Sequence, residues 1–370
     1  MKPIKIIAIL AVAAFALLLV VELVLKFVMP VDMEPSLRIE LSNEIPGLAE
    51  KRVTFEMTGD GLRTYQWSKK RPSDCIRLLV VGSNSTNHMM QNVAETWWGQ
   101  LAQQLEAQTG KRVEAACFGN VSNGLILYGL AAAEKLMDAR ADDFDCIIVK
   151  YGMGDVIEHP LDYTFDESKL ARLRAPTPEG MKEKLAKFSQ IARRVRNGRI
   201  RDSRRARQAE LAQHNYYASW LQASFNAYRE RPFVTKLDRP DDPEKEYLQG
   251  IQGFITLAEK HGKKLVCIGE PSLHFEFLDF PETGRMSSLA VTGPNTADRS
   301  RVSLEWVQRE LDRYYFDAQV LCEEAGVPFF SLNGRIPRTL TYFVTDVLYT
   351  DEGAKKAAEL VLPTVAEALK

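Results

Sequence analysis

The side chains best able to do chemistry fall in three short blocks. The first is Gly82-Ser83-Asn84-Ser85-Thr86, directly after the apolar run Ile76 to Val81. A serine hydroxyl in such a turn can attack an acyl carbon, but only when a base takes its proton. The same hydroxyls could equally serve as turn or helix-capping groups. The second block is Tyr151-Gly152-Met153-Gly154-Asp155, again after an apolar run, Cys146 to Lys150. The third runs from Phe343 through Thr345, Asp346, Leu348 and Thr350 to Gly353, and opens the helical stretch Ala354 to Leu362. Three histidines, His88, His159 and His274, lie after the first block, the second block and a fourth strand-like run. Each is a candidate for a recruited base, although an isolated histidine is more often a packing or surface residue. No metal-ligand spacing and no glycine-rich phosphate loop occurs, so no cofactor is expected.

These blocks need a scaffold, and the chain reads as one. Leu78 to Val81, Val113 to Phe118, Cys146 to Lys150, Leu265 to Ile268 and Pro328 to Leu332 are strand-like. Between them lie helical stretches at Trp97 to Gln108, Leu125 to Ala139, Phe254 to Lys260 and Trp306 to Ala325, three of them closed by Gly110, Gly262 and Gly326. Strands alternating with helices of this length predict a three-layer α/β/α fold with a mostly parallel central sheet. Its ligand cleft then lies past the carboxyl ends of the strands. Trp97 and Trp98 are expected in the core rather than in the cleft. From about 160 to 250 the alternation stops, giving a helical insertion with eight arginines between Arg193 and Arg207. That run reads as a solvated helix face, or as a basic surface for anionic headgroups or an acidic glycan.

The first 29 residues differ from the rest. Ile6 to Val21 has no charge, and the apolar stretch continues to Met29 past Glu22 and Lys26. At about 1.5 Å per residue it can cross a hydrocarbon core roughly 30 Å thick. Residues 1–29 are therefore expected to be a transmembrane signal anchor, with a cleaved signal peptide as the competing reading. Lys2 and Lys5 would keep the N-terminus in the cytoplasm, placing the soluble mass outside it. Residues 30–70 read as a stalk with short strands, and 71–370 as the main domain. The balance of 48 basic against 49 acidic residues gives no field to attract nucleic acid. The five cysteines read as buried thiols rather than a disulfide framework.

The order of the blocks resembles the SGNH, or GDSL-type, hydrolase superfamily, particularly its membrane-tethered members in bacterial envelope systems. The resemblance spans about Ile76 to Leu362. It implies a nucleophile position at Asn84, with Ser83 taking that position if the alignment shifts by one residue. It also implies oxyanion-hole positions at Gly119 and Gly154, an adjoining Asp155, an orienting carboxylate at Thr345 and a base at Leu348. Most of these residue types cannot do the corresponding work. A carboxamide does not attack acyl carbons, leucine accepts no proton, and loss of one oxyanion donor costs about a hundred- to a thousandfold in rate. The resemblance therefore implies a protein tethered in a bacterial inner membrane, its soluble domain in the periplasm, without ordinary hydrolysis and binding a polysaccharide, an acyl ligand or an envelope protein partner. The alternative is a working carbohydrate esterase or O-acyltransferase using Ser83 with a histidine from elsewhere. A flavodoxin-like or other α/β binding domain is a third reading.

Overall fold

The computed structural model describes residues 37–43, 51–58, 61–88, 90–119, 124–175, 216–274, 286–293 and 297–370, with a few isolated positions before 216. In chain order the first elements are β1 (Leu37–Asn43), β2 (Lys51–Met57), β3 (Arg63–Tyr65), β4 (Cys75–Gly82), the short α1 (Asn84–Asn87), α2 (Trp97–Thr109) and β5 (Arg112–Gly119). Next come α3 (Ile126–Arg140), β6 (Cys146–Tyr151), α4 (Met153–Ile157), α5 (Lys169–Arg174), α6 (Tyr216–Glu230), β7 (Phe233–Val234) and α7 (Asp242–His261). The chain closes with β8 (Lys264–Gly269), β9 (Ala290–Val291), β10 (Arg299–Val302), α8 (Leu304–Glu324), β11 (Phe329–Ser331) and α9 (Asp351–Ala368).

The main sheet has the order β11-β8-β6-β4-β5-β3. Every neighbouring pair is parallel except β3 against β5. Numbered along the chain, the parallel strands lie 2-1-3-4-5, so the winding reverses between β4 and β6. Two further sheets are small: the antiparallel pair β1-β2, and β7-β10-β9.

Both faces of the sheet are covered, which explains the near-continuous apolar strands. Leu78 and Val80 of β4 face one side with Ile148 and Val266, against Trp98, Leu101 and Leu105 of α2 and Ala357 and Val361 of α9. Their neighbours Leu79 and Val81 face the other side with Ile147 and Cys267, against Leu130 of α3, Phe254 of α7 and Leu311 of α8. Trp97 and Trp98 are fully buried. Local chemistry fixes the ends of the helices around the site. Thr96 caps α2 by accepting from Gly99 N–H at 3.1 Å, and Thr350 caps α9 by accepting from Gly353 N–H at 3.1 Å. Gly353 serves a second constraint, since a Cβ there would lie 1.9 Å from the Tyr342 carbonyl oxygen.

Helix α7 begins at Asp242, twelve residues before the helical stretch read from sequence, with Pro243 in its first turn. Within the 30–70 segment, β3 pairs along β5, so this part of the expected stalk joins the main sheet. Among the described residues, no helix is long and apolar enough to cross a membrane. The anchor expected over 1–29 lies outside the described residues apart from three positions, and the arginine run lies outside them apart from Arg193 and Arg194. All five cysteines are buried thiols.

Candidate functional site

Three loops at the carboxyl end of the sheet, after β4, β6 and β8, meet at the point where the winding reverses, the usual ligand position in such sheets. Gly82 permits the approach: a Cβ there would lie 2.3 Å from Thr86 Oγ1 and 2.8 Å from the Lys150 carbonyl oxygen. Ser83 follows it, and the buried guanidinium of Arg63 holds the next turn by donating to the carbonyls of Asn87, His88 and Gln91.

Glu270, immediately after β8, is the centre of the arrangement. Its Oε1 accepts from the Ser83 hydroxyl, from Ser85 Oγ at 2.6 Å and from Lys150 Nζ at 3.3 Å. Its Oε2 accepts from Met153 N–H at 3.1 Å, and its backbone carbonyl accepts from Tyr315 OH at 2.9 Å. Lys150, the penultimate residue of β6, also donates to Ser85 Oγ at 2.8 Å. Its ammonium lies 5.3 Å from the centre of the Tyr349 ring and 5.9 Å from that of Trp97. Burial pushes the Lys150 pKa below the usual lysine value, and the Glu270 carboxylate opposes that shift. One carboxylate thus binds all three loops, and its own charge is met by a buried cation.

Above this network lies a cavity of about 390 Å³, within the range of small-molecule sites. Its lining includes Ser83, Ser85, Gly154, Glu270, Thr345 and Leu348. Four positions singled out in the sequence, Ser83, Gly154, Thr345 and Leu348, therefore share one cavity although they come from three distant blocks. At the rim Arg299 forks onto Glu158, with Nη2 to Oε2 at 2.6 Å and Nη1 to Oε1 at 3.2 Å.

The other singled-out residues sit elsewhere. Asp155 is fully buried and accepts from Ile126 N–H at 2.9 Å, fixing the start of α3, and burial raises its pKa well above the carboxylate range. Gly119 ends β5 in register with Gly82. Asn84 opens α1, and its side chain lies outside the described residues. His88 is buried with φ +37°, and burial, followed by the charge of Arg63, lowers its pKa to about 3. His159 packs on Tyr163 with ring centroids 4.2 Å apart, and burial lowers its pKa to about 3. His274 Nδ1 lies 2.5 Å from Ser272 Oγ, and its Nε2 lies 4.0 Å from Asp346 Oδ2. Burial lowers the His274 pKa to about 4, with Asp346 opposing. Among the described residues, the hydrogen-bond partners of Ser83 and Ser85 are each other, Glu270 and Lys150, with no imidazole.

Lys150 and Glu270 were not among the residues read from sequence as functional. A signal was present: Lys150 is the one charge within the otherwise uncharged Cys146–Tyr151, and Glu270 directly follows a buried strand. Asp346, one residue from Thr345, is buried beside the cavity, accepting from Ser287 Oγ and Ser288 N–H, each at 2.8 Å. Among the described residues, no group of three or more histidine, cysteine, aspartate or glutamate side chains is placed to hold a metal ion.

No family model matches the chain, and no curated protein matches it in sequence. Solved structures do resemble it in chain path. One is a gut microbial diltiazem-metabolizing enzyme, at 9% identity and a TM-score of 0.41, covering 80% of this chain and 48% of that one. This chain thus spans about half the length of that enzyme. Another is an acetyl xylan esterase, at 10% identity and a TM-score of 0.39, covering 78% of this chain and 100% of that one. A third is an acetylxylan esterase from Geobacillus stearothermophilus, at 9% identity and a TM-score of 0.38, covering 80% and 94%. At these values none of them transfers an activity or a site to this chain.

Proposed function

We propose that this is a membrane-anchored, extracytoplasmic SGNH-like protein whose cleft binds a glycan or acyl ligand, or a partner, in envelope polysaccharide export or modification, without serine-based hydrolysis. The observation that carries the non-hydrolytic part is the Glu270 network. Ser83 and Ser85 direct their hydroxyl hydrogens to a carboxylate that is already compensated by Lys150. The positions that the resemblance assigns to the base and its orienting carboxylate are Leu348 and Thr345. Glu270 Oε1 is already shared among both serine hydroxyls and the Lys150 ammonium, and Gly154 offers no side-chain donor to an oxyanion. The anchor and the periplasmic placement rest on the apolar stretch from Ile6 to Met29.

A second reading, an esterase or O-acyltransferase acting through Ser83, draws on one observation: the Ser83 hydroxyl touches a carboxylate in the same cavity. Turnover separates the two. The full-length chain, assayed with 4-nitrophenyl acetate and with acetylated xylo-oligosaccharides, is expected to release acetate no faster than its Ser83→Ala/Ser85→Ala variant. A rate that falls at least tenfold in that variant would overturn the proposal in favour of the second reading. Carbonate extraction and protease accessibility in spheroplasts test the anchor and its orientation. Release of the chain by carbonate would overturn that part.

A further inference from the structure

The directions of the hydrogen bonds under the cleft limit what it can hold. A carboxylate accepts hydrogen bonds and does not donate, whereas a serine hydroxyl has one proton and two lone pairs. The protons of Ser83 and Ser85 are taken up by Glu270 and by the 2.9 Å contact between the two hydroxyls, and Ser287, also in the cavity wall, donates to Asp346 at 2.8 Å. With their protons so engaged, these serines offer lone pairs to the cavity, although Lys150 occupies one on Ser85. Thr345 has the opposite arrangement. Its Oγ1 accepts from the N–H groups of Leu348 at 3.1 Å and Val347 at 3.3 Å, so its own proton is available to a ligand.

Charge narrows the choice further. Among the described residues, the carboxylates in the lining are Glu158 and Glu270, each paired with a cation, Arg299 at 2.6 Å and Lys150 at 3.3 Å. Among the described residues an ammonium ligand finds no uncompensated carboxylate there, and at the serines a carboxylate or phosphate brings acceptors against acceptors. An ester carbonyl has the same fault at the serines. A hydroxyl both donates and accepts, and so matches the serines and Thr345 together. Met153, Ile157, Leu289, Val347 and Leu348 supply an apolar wall suited to the C–H face of a sugar ring.

We infer that the serine floor of the cleft selects a neutral ligand by its free hydroxyl groups, as on an unmodified sugar or polyol, over ester carbonyls, carboxylates and amines. This rests on the ligand-binding reading above and inverts the polarity an ester-cleaving site needs, in which donors surround the substrate oxygen.

The test is calorimetric titration of the full-length chain with methyl glucoside and cellobiose, with their permethylated derivatives, and with benzoate and 4-nitrophenyl acetate. The free glycosides are expected to bind at least tenfold more tightly than the permethylated forms, which keep the acceptors and lose every donor. Ser83→Ala is expected to weaken glycoside binding about tenfold, the scale of one neutral hydrogen bond, with an unchanged circular dichroism spectrum. Glu270→Gln, whose amide can donate to Ser83 and turn that proton toward the cavity, is expected to narrow the preference. Should that variant not fold, Ser83→Ala and the ligand pairs decide. Equal or tighter binding of the permethylated sugars or the ester overturns this inference and leaves the ligand-binding reading in place. Binding by none of these probes overturns this inference and the glycan- or acyl-ligand reading, leaving a partner as the occupant of the cleft.

Discussion

The Lys150 ammonium of β6 and the carboxylate of Glu270, the residue that follows the neighbouring parallel strand β8, meet 3.3 Å apart beneath the cleft, both buried. Removing one partner of such a pair leaves a buried charge without compensation, whereas replacing both by uncharged groups can be nearly neutral. Lys150→Met is therefore expected to destabilise the chain by about 3–5 kcal/mol. Lys150→Met/Glu270→Gln should recover a large part of that loss. Urea unfolding of the single and double variants measures it. Equal losses in both would show that the pair is not coupled.

His88 makes stability depend on pH in a definite direction. Its folded-state pKa, about 3, lies below the ordinary 6.5, so the unfolded chain binds more protons between those values. Stability from this group is present above about pH 6.5 and is lost as pH falls toward 3. Glu246 acts oppositely: burial raises it from 4.5 to about 7, so its contribution falls as pH rises through that interval. Comparing wild type with His88→Asn isolates the histidine, and asparagine tolerates the positive φ. The stability of wild type relative to the variant should decline from pH 7.5 to pH 5. A pH-independent difference would place the His88 ring in water.

The entry to α9 combines a cap with a close backbone approach. Thr350→Ala should cost about 1 kcal/mol, the usual value of a lost N-cap. Gly353→Ala should cost more, because its Cβ would press on the Tyr342 carbonyl at 1.9 Å. Thermal unfolding of both variants ranks them. A milder effect for Gly353→Ala would contradict that contact.

Trp98 joins the first turn of α2 to the turn bearing Ser85, since its Nε1 donates to the Thr86 carbonyl at 3.1 Å. Trp98→Phe should cost about 1–3 kcal/mol through the unsatisfied carbonyl and the smaller ring, as read by denaturant midpoint. A change within experimental error would show that water replaces the indole.

Much of the sheet was legible because buried parallel strands are short apolar runs, and Gly110 and Gly262, both left-handed, mark where α2 and α7 stop. The start of α7 was hidden because its first turns, Asp242 to Glu246, carry charges that resemble the polar insertion before them. The cleft floor was less legible. Block spacing pointed to Ser83 and Leu348, but a glutamate after one strand says nothing about a lysine 120 residues earlier until the β6-β8 pairing brings them together. The lone histidines carried no comparable information: His159 packs on a tyrosine and His274 bonds Ser272.

The central claim is that the cleft serines are not activated nucleophiles, and reaction with a fluorophosphonate followed by intact-mass measurement tests it most directly. The full-length chain at pH 7.5 is expected to gain no adduct on Ser83 or Ser85. A stoichiometric adduct that disappears in Ser83→Ala or in Ser85→Ala would contradict the account.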